Sequence, residues 1–187
     1  MSPEPRVAVF CGSQDGADPA FLAAARALGA GLAAKGWGLV YGGAQVGTMG
    51  AVADGALEAG GKVYGVIPQR LGSHEVAHHA LTELFVVDSM HARKAMMAWL
   101  SRAFLILPGG YGTLDELFEA LTWRQLGYHR KPIGLVNVAG FYDDLIAHAE
   151  RAVTQGFLRS EHQELFFVEP TPEAALRALE PRLGAAQ

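Results

Sequence analysis

The sequence predicts an α/β fold in which a Rossmann-like, doubly wound parallel sheet is flanked by helices. Short runs of β-branched and aromatic residues alternate with longer Ala- and Leu-rich segments of helical period, the pattern of a parallel sheet with crossover helices. Three strand runs lead directly into glycine-rich turns, as strands do at the ligand-binding edge of such a sheet. No repeat, linker or low-complexity tract divides residues 1–187, so we expect a single domain.

Seven strands and six helices are predicted in turn along the chain. The strands are Arg6–Phe10, Gly38–Tyr41, Lys62–Ile67, Leu84–Val87, Phe104–Leu107, Pro132–Val136 and Leu165–Val168. The helices are Pro19–Lys35, Thr48–Ala59, Met90–Arg102, Leu114–Leu126, Tyr142–Gln155 and Pro172–Leu183. In the first helix one apolar stripe consists of Leu22, Ala25, Leu28, Gly29 and Leu32, and Gly36 supplies the stop signal.

Composition and charge favour a globular protein with a small-molecule ligand. A chain of 187 residues that is 50% hydrophobic can form a core, which excludes global disorder. The 15 Lys and Arg against 19 Asp and Glu give a net charge of −4, which argues against a nucleic-acid partner. The single cysteine, Cys11, excludes an intramolecular disulfide and fits a reducing compartment. With no signal-like or membrane-length apolar run, we expect a cytoplasmic protein without a membrane partner.

Three glycine-rich turns follow predicted strands. They are Cys11–Ser13, Gly42–Gly50 and Pro108–Thr113, and they include the candidate ligand contacts Ser13 and Gly43. Because the carboxyl ends of parallel strands meet at one edge of the sheet, all three turns should line one crevice. A glycine turn that opens a helix offers backbone N–H groups and a positive helix end to an anion, so phosphate is the expected guest. The alternative is that these glycines only permit tight turns and close helix–sheet contact.

The familiar nucleotide fingerprints are incomplete. Gly110-Tyr111-Gly112 does not continue into G-x-G-x-x-G, which disfavours a dinucleotide. The turn from Gly42 to Thr48 has the glycine spacing of a Walker A loop, but no lysine precedes the threonine, which disfavours a nucleoside triphosphate. A compound with a single phosphate therefore fits best.

Arg93 occupies an unusual position for an arginine. Its spacing to Met96, Met97 and Leu100 makes it part of an apolar helix stripe, where a guanidinium needs a fixed anion. The alternative is an arginine that snorkels past the stripe or pairs with a structural carboxylate. Lys94 is expected to add a second cation at the mouth of the crevice.

Glu116 has two interpretations. A core stripe of Leu114, Leu117, Phe118 and Leu121 would place Glu116 on the opposite helix face, from which it can look over the crevice. Alternatively, Thr113 and Glu116 form a capping box at the helix start. A carboxylate repels a phosphate, so a functional Glu116 should act on a neighbouring part of the ligand, such as the sugar.

The segment His74–His78 matches the zinc-binding pattern H-E-x-x-H. It follows Gly72-Ser73 in an expected loop or short helix, with no obvious third ligand, although His79 is adjacent. We therefore expect no metal at this segment. His78 is expected to pack or to form a hydrogen bond. Glu75 is expected to accept a hydrogen bond at the rim of the crevice.

Two motifs together carry a resemblance to a known family. Ser89–Lys94 (SMHARK) and Pro108–Glu116 (PGGYGTLDE) resemble the paired signature of the Lonely Guy (LOG) family, the cytokinin riboside 5′-monophosphate phosphoribohydrolases. The similarity runs from the first strand to about Leu158 and includes GGAQVGTMG and EVAHHALTEL. Asp115 departs from the family pattern, since many members have a second Glu there.

The resemblance implies the site residues. The two catalytic residues fall on Arg93 and Glu116. The substrate contacts fall on Glu75, Lys94, Gly109, Gly110, Tyr111, Gly112, Thr113, Leu114, Asp115 and Thr122.

The resemblance also implies a reaction. The N-glycosidic bond of a purine nucleoside 5′-monophosphate would be hydrolysed without a cofactor by a homodimer, giving the free base and ribose 5-phosphate. The preferred base, N6-modified adenine or plain adenine, stays open. The older family label of lysine decarboxylase fits poorly, because no lysine stands in a recognisable pyridoxal phosphate setting. The alternatives are a nucleotide or molybdopterin carrier on the same fold and a structural dimer with a vestigial pocket.

Overall fold

A computed structural model describes residues 4–71 and 78–185, and all predicted strands and helices are present in it. The strands are β1 (Arg6–Phe10), β2 (Gly38–Tyr41), β3 (Val63–Pro68), β4 (Glu83–Val87), β5 (Ala103–Ile106), β6 (Ile133–Val136) and β7 (Phe167–Glu169). The helices are α1 (Pro19–Ala34), α2 (Gly47–Glu58), α3 (Met90–Leu100), α4 (Tyr111–Gln125), α5 (Asp143–Thr154) and α6 (Pro172–Ala185). Two 3-10 helices cover Val138–Gly140 and Ser160–Leu165.

The strands form one parallel sheet in the order β4-β3-β2-β1-β5-β6-β7. From β1 the chain moves outward to β4, returns through α3 to β5 on the other side of β1, and continues to β7. The strand order therefore reverses between β1 and β5, where Val7 to Phe10 pair with Ala103 to Ile106. In an open α/β sheet, this reversal leaves a crevice at the carboxyl ends of the two strands.

Both faces of the sheet are covered by helices, which confirms the doubly wound fold. Side chains alternate along β1: Val7 and Val9 pack with α1, α2 and α6, whereas Ala8 and Phe10 pack with α3, α4 and α5. The central strands are apolar throughout because both of their faces are buried. Within residues 4–71 and 78–185, no helix has the length and hydropathy needed to cross a bilayer.

Candidate active site

A cavity of about 230 Å³ opens at the carboxyl ends of β1 and β5, where the strand order reverses. We call this cavity the crevice. Its lining residues are Cys11, Gly12, Ser13, Met49, Arg93, Gly110, Tyr111, Gly112, Thr113 and Glu116. All three glycine-rich turns contribute to this wall, as the sequence predicts.

The amino end of α4 presents free donors to the crevice. Gly110 is the N-cap, and the first helical bond runs from the Leu114 N–H to the Gly110 carbonyl at 3.1 Å. The N–H groups of Tyr111, Gly112 and Thr113 therefore have no partner within the helix. A Cβ at Gly110 or Gly112 would meet no heavy atom within 4 Å, so both glycines border open space. This helix end can accept an anion at close range.

The capping box considered for Thr113 and Glu116 is wrong. Helix α4 begins at Tyr111 rather than Leu114, so Thr113 already lies inside the first turn, and its side chain is buried. Among the described residues, no side chain makes a capping hydrogen bond to this helix start. The physical reason is that Gly110 has the extended conformation of an N-cap and leaves the first turn open to the crevice.

The turn after β1 is fixed against the start of α2. The Thr48 hydroxyl accepts a hydrogen bond from the Gly12 N–H at 2.9 Å and donates one to the Gly12 carbonyl at 3.0 Å. A side chain at Gly109 would overlap Thr113 Oγ1 and approach the Gly12 nitrogen. The backbones of two of the turns therefore pack together as only glycine permits, and they hold the crevice wall rigidly.

Arg93 is 7% exposed and is held from three sides. Its Nε donates to the Val66 carbonyl at 3.1 Å, and its Nη2 donates to the Gly42 carbonyl at 3.3 Å. The sulfur atoms of Met90 and Met49 lie 3.8 and 4.0 Å from Nη1 and Nη2. Arg93 is thus an inward member of its helix stripe, as predicted, and its anion partner is Glu116.

Glu116 faces Arg93, and both side chains line the crevice. Its Oε1 is 3.8 Å from Arg93 Nη1, and Glu116 is 7% exposed. Burial raises the pKa of Glu116 to about 7, against the opposing effect of the Arg93 charge. Near neutral pH the carboxyl group can therefore be present in both protonation states.

The predicted core stripe of α4 is shifted by one residue. The buried side chains are Thr113, Glu116, Leu117 and Ala120, whereas Phe118 is 46% exposed. Glu116 therefore does not lie on the face opposite the core. It belongs to the buried face, at the end where that face meets the crevice.

Lys94 is placed beside carboxylates rather than on the crevice wall. Its Nζ lies 2.9 Å from Asp115 Oδ2 and 3.0 Å from Glu119 Oε2. Burial lowers the pKa of Lys94, but hydrogen bonds to these carboxylates outweigh it and the net pKa is raised. Lys94 thus neutralises the acidic side of α4 instead of adding a cation at the mouth of the crevice.

The remaining candidates divide between the crevice and other places. Ser13 lines the crevice. Gly43 is buried behind it, with φ of +81° and a carbonyl that accepts the His78 N–H. Thr122 is exposed and donates to the Phe118 carbonyl at 2.7 Å, away from the crevice of its own chain. Glu75 lies outside the described residues.

His78, the last residue of the H-E-x-x-H segment, forms a side-chain hydrogen bond. His78 Nε2 lies 3.0 Å from Asp54 Oδ1 on α2. His74 to Ala77 lie outside the described residues, and among those described no three His, Cys, Asp or Glu side chains form a group that could hold a metal ion.

Two features at the crevice had no functional role assigned from the sequence, although Cys11 and Met49 lie in turns that were predicted to line it. Met49 and Met90 contact the Arg93 guanidinium, but methionine at helical spacing resembles any core residue. Cys11 lines the crevice, and burial raises the pKa of its thiol to about 12, so the thiol is neutral.

Comparison with known proteins identifies the family. Residues 49–179 match the family model described as "Possible lysine decarboxylase". The chain is 47% identical over 175 residues to a rice (Oryza sativa subsp. japonica) protein named probable cytokinin riboside 5′-monophosphate phosphoribohydrolase LOGL9, covering 94% of this chain and 77% of that one. The chain belongs to the LOG family. Its identity to LOG7 of Arabidopsis thaliana, named cytokinin riboside 5′-monophosphate phosphoribohydrolase, is 44%, with 94% and 81% of the two chains covered.

Solved structures share the fold of this LOG protein. The molybdenum cofactor binding protein from Rippkaea orientalis superposes with a TM-score of 0.74 at 26% identity, over 97% of this chain and 98% of that one. The molybdenum cofactor carrier protein from Chlamydomonas reinhardtii gives a TM-score of 0.75 at 24% identity, over 97% and 99%, a likeness of fold alone.

The four lysines of this LOG protein do not fit the decarboxylase description. Lys35 pairs with Glu180 and Lys62 pairs with Glu4. Lys94 is held by its two carboxylates, and Lys131 donates to the Ala98 carbonyl. None of the four is among the described residues that line the crevice, where a pyridoxal phosphate would need a lysine amine.

Proposed function

We propose that this protein hydrolyses the N-glycosidic bond of a purine nucleoside 5′-monophosphate and releases the free base and ribose 5-phosphate. The observation that carries the proposal is the buried pair of Arg93 and Glu116, 3.8 Å apart, beside the free N–H groups of the α4 amino end. Relatives that are 44 and 47% identical carry the name of this activity.

The substrate phosphate is assigned to the amino end of α4. The N–H groups of Tyr111, Gly112 and Thr113 supply hydrogen bonds and the positive end of the helix dipole. The Ser13 hydroxyl, on the facing turn, can donate another hydrogen bond. This assignment explains why glycines border the open space, since a side chain there would keep the phosphate away from the backbone.

Glu116 is assigned to the ribose. In the hydrolysis, the bond between C1′ and the base nitrogen breaks, a bond from C1′ to a water oxygen forms, and the base takes up a proton. The sugar gains positive charge in the transition state, which the Glu116 carboxylate stabilises at close range. Glu116 also accepts a proton from the attacking water and afterwards releases it to solvent, which supplies the proton that the leaving base takes up. Arg93 favours the ionised form of Glu116 and offers its Nη1 donors to the sugar or the phosphate.

The other predicted contacts are assigned supporting roles. Lys94 orients Asp115 through an ion pair and keeps the acidic side of α4 from repelling the nucleotide. Gly109 allows the close packing of the two turns, and Gly43 shapes the turn behind Arg93. Leu114 packs at the start of α4, and Glu75 is assigned to the base or ribose on the basis of the family motif alone.

A homodimer is part of the proposal. Thr122 lies six residues beyond Glu116, about 9 Å further along α4, and does not line the crevice of its own chain. We assign its contact to a nucleotide in the crevice of a second copy. Helix α4 and its C-cap carry exposed apolar side chains one turn before and one turn after Thr122, Phe118 at 46% and Leu126 at 63% exposure. Light scattering coupled to size-exclusion chromatography should give twice the mass of the 19.9-kDa chain.

Two further expectations belong to the same proposal. Residues 1–187 act as one hydrolase domain, and the single, neutral Cys11 suits the reducing cytoplasm. The substrate is AMP or an N6-modified AMP.

A carrier protein is the second candidate function. The molybdenum cofactor binding protein from Rippkaea orientalis has the same fold and favours it. A carrier for an anionic ligand, however, gains nothing from a buried carboxylate at its binding site, which would repel that ligand. The Arg93 and Glu116 pair therefore favours the hydrolase.

Chromatography separates the two functions. AMP and N6-modified AMP are incubated with the protein, and the base and ribose 5-phosphate are quantified, with the corresponding nucleosides as the control. We expect base from the nucleotides and almost none from the nucleosides. Equal rates on both would contradict the phosphate assignment, and tight binding without release of base would establish the carrier.

A further inference from the structure

A second cavity, of about 540 Å³, lies at the opposite edge of the sheet from the crevice. Its wall contains three arginines, Arg124, Arg130 and Arg182, together with Glu164 and the rings of Phe166 and Phe167. Arg124 lies in the last turn of α4, and Phe167 begins β7. The cavity therefore lies at the amino ends of the strands, whereas the crevice lies at their carboxyl ends. We call this second cavity the arginine pocket.

The arginine pocket concentrates positive charge in an acidic protein. Three of the eleven arginines of a chain with net charge −4 line it, and Glu164 is the one carboxylate among its described lining residues. None of the three arginines is ion-paired with a carboxylate in residues 4–71 and 78–185. Burial and the charge of Arg182 both lower the pKa of Arg124, so these two cations repel each other across the pocket.

The guanidinium groups keep donors available for a ligand. Arg124 Nη1 donates to the Lys131 carbonyl at 3.1 Å, and Arg182 Nη1 donates to the Ala178 carbonyl. Each guanidinium has five N–H donors, so several remain. The Arg182 guanidinium lies 4.6 Å from the centre of the Phe167 ring, which fixes its position over an apolar wall.

We propose that the arginine pocket binds a small phosphate monoester that carries a planar ring. Planar guanidinium groups match the geometry of phosphate oxygens and form two parallel hydrogen bonds with them. The rings of Phe166 and Phe167 make part of the wall apolar, so a ring can pack beside the Arg182 guanidinium, and the volume suits a small molecule. A bound dianion relieves the repulsion between Arg124 and Arg182. This site is separate from the crevice and does not depend on the proposed hydrolase activity.

A titration of ¹⁵N-labelled protein with phenyl phosphate tests the site, because NMR reports each cavity through its own amides. We expect saturable shifts of the amides of Gln163 to Phe167, distinct from those of Gly110 to Thr113 at the crevice. Inorganic phosphate should act at the same amides more weakly, since it has no ring. Sodium chloride at equal ionic strength is the control, and equal shifts with chloride would overturn the proposal.

Single substitutions sharpen the test. Arg130→Ala removes an exposed side chain and should weaken phenyl phosphate binding at the arginine pocket roughly tenfold. Glu164→Gln removes the opposing charge and should tighten binding. Arg177→Ala, an exposed arginine of α6 that does not line the pocket, is the matched control and should leave binding unchanged. No saturable shift at these amides, or equal binding by the Arg130 and Arg177 variants, would overturn the proposal.

Discussion

Arg93 Nη1 lies 3.8 Å from Glu116 Oε1, and both side chains are 7% exposed. The carbonyls of Val66 and Gly42 hold the guanidinium from behind, so its free edge is directed to the carboxyl group and the crevice. The pair joins two helices, α3 and α4, that pack on the same face of the sheet. Chemistry at this site therefore depends on how the sheet places these helices.

Substitution Arg93→Ala should weaken both nucleotide binding and turnover. The change removes the cation that is proposed to contact the ligand and also leaves the Glu116 carboxyl group without its buried partner. We expect KM to rise and kcat to fall, each by tenfold or more, since a charge-assisted hydrogen bond contributes about 1.5–3 kcal/mol. Steady-state base release measures both constants. An unchanged KM would show that Arg93 does not contact the nucleotide.

The rate should depend on pH through Glu116. The proposed mechanism requires the carboxylate, and burial raises the pKa of this group to about 7, so kcat/KM should rise between pH 6 and pH 8. Arg93→Ala removes the charge that opposes this shift, so the rise of its residual activity should move to higher pH. A wild-type profile that is flat across this range would contradict the role of the Glu116 carboxylate.

Stability should depend on pH in the opposite direction. The pKa of Glu116 is about 7 in the folded protein, whereas the unfolded chain releases this proton near the ordinary pKa of 4.5. The free energy of unfolding should therefore fall between these values and level off above them, by up to about 3 kcal/mol. Urea unfolding of wild type and Glu116→Gln at pH 5 and pH 8 measures this. The free energy of unfolding of Glu116→Gln should lack this pH-dependent contribution. An identical pH dependence in both proteins would refute the raised pKa of Glu116.

Two glycine substitutions should have opposite effects on stability. A Cβ at Gly42 would overlap Arg93 Nη2, so Gly42→Ala should destabilise the fold by about 1–3 kcal/mol and displace the guanidinium. Gly112 lies in the first turn of α4 beside open space, so Gly112→Ala should be neutral or stabilising by up to about 1 kcal/mol. The new Cβ would border the proposed phosphate position, however, so KM should rise. Thermal unfolding and steady-state kinetics test both, and a stable Gly42→Ala enzyme with normal activity would argue against the fixed position of Arg93.

Activity should not require zinc. His78 Nε2 is bonded to Asp54, so His78→Ala should cost about 1 kcal/mol or less of stability and leave turnover nearly unchanged. Dialysis against EDTA should also leave activity intact. If dialysis abolished activity and added zinc restored it, the interpretation of the H-E-x-x-H segment would be reversed.

The sequence predicted the sheet and the crevice more accurately than the detail of α4. Alternation of strands and helices is a strong signal, and glycines after β1, β2 and β5 located the crevice because parallel strands end at one edge. The spacing of Arg93 with apolar residues also indicated its inward position. The elements and the inward position of Arg93 follow from the period of a single element, and the crevice follows from the common direction of the strands.

The start of α4 could not be predicted in the same way. Its N-cap is a glycine without a capping side chain, so Thr113 gave a misleading start signal. The stripe through Leu114 and Phe118 was plausible because it is entirely apolar. The stripe that is buried contains Thr113 and Glu116, since the contacts of the crevice with Arg93 and Gly109 determine which face turns inward. Such contacts between distant segments are absent from a local pattern.

The most direct test is base release from a purine nucleoside 5′-monophosphate by wild type and Glu116→Gln. Glutamine keeps the shape of the side chain but removes the charge that is proposed to stabilise the ribosyl cation, a contribution commonly worth ~10²–10³ in rate. We expect kcat to fall by this factor while nucleotide binding, measured by calorimetry, persists or tightens. A Glu116→Gln protein that releases base at a rate near that of wild type would contradict the catalytic role of Glu116.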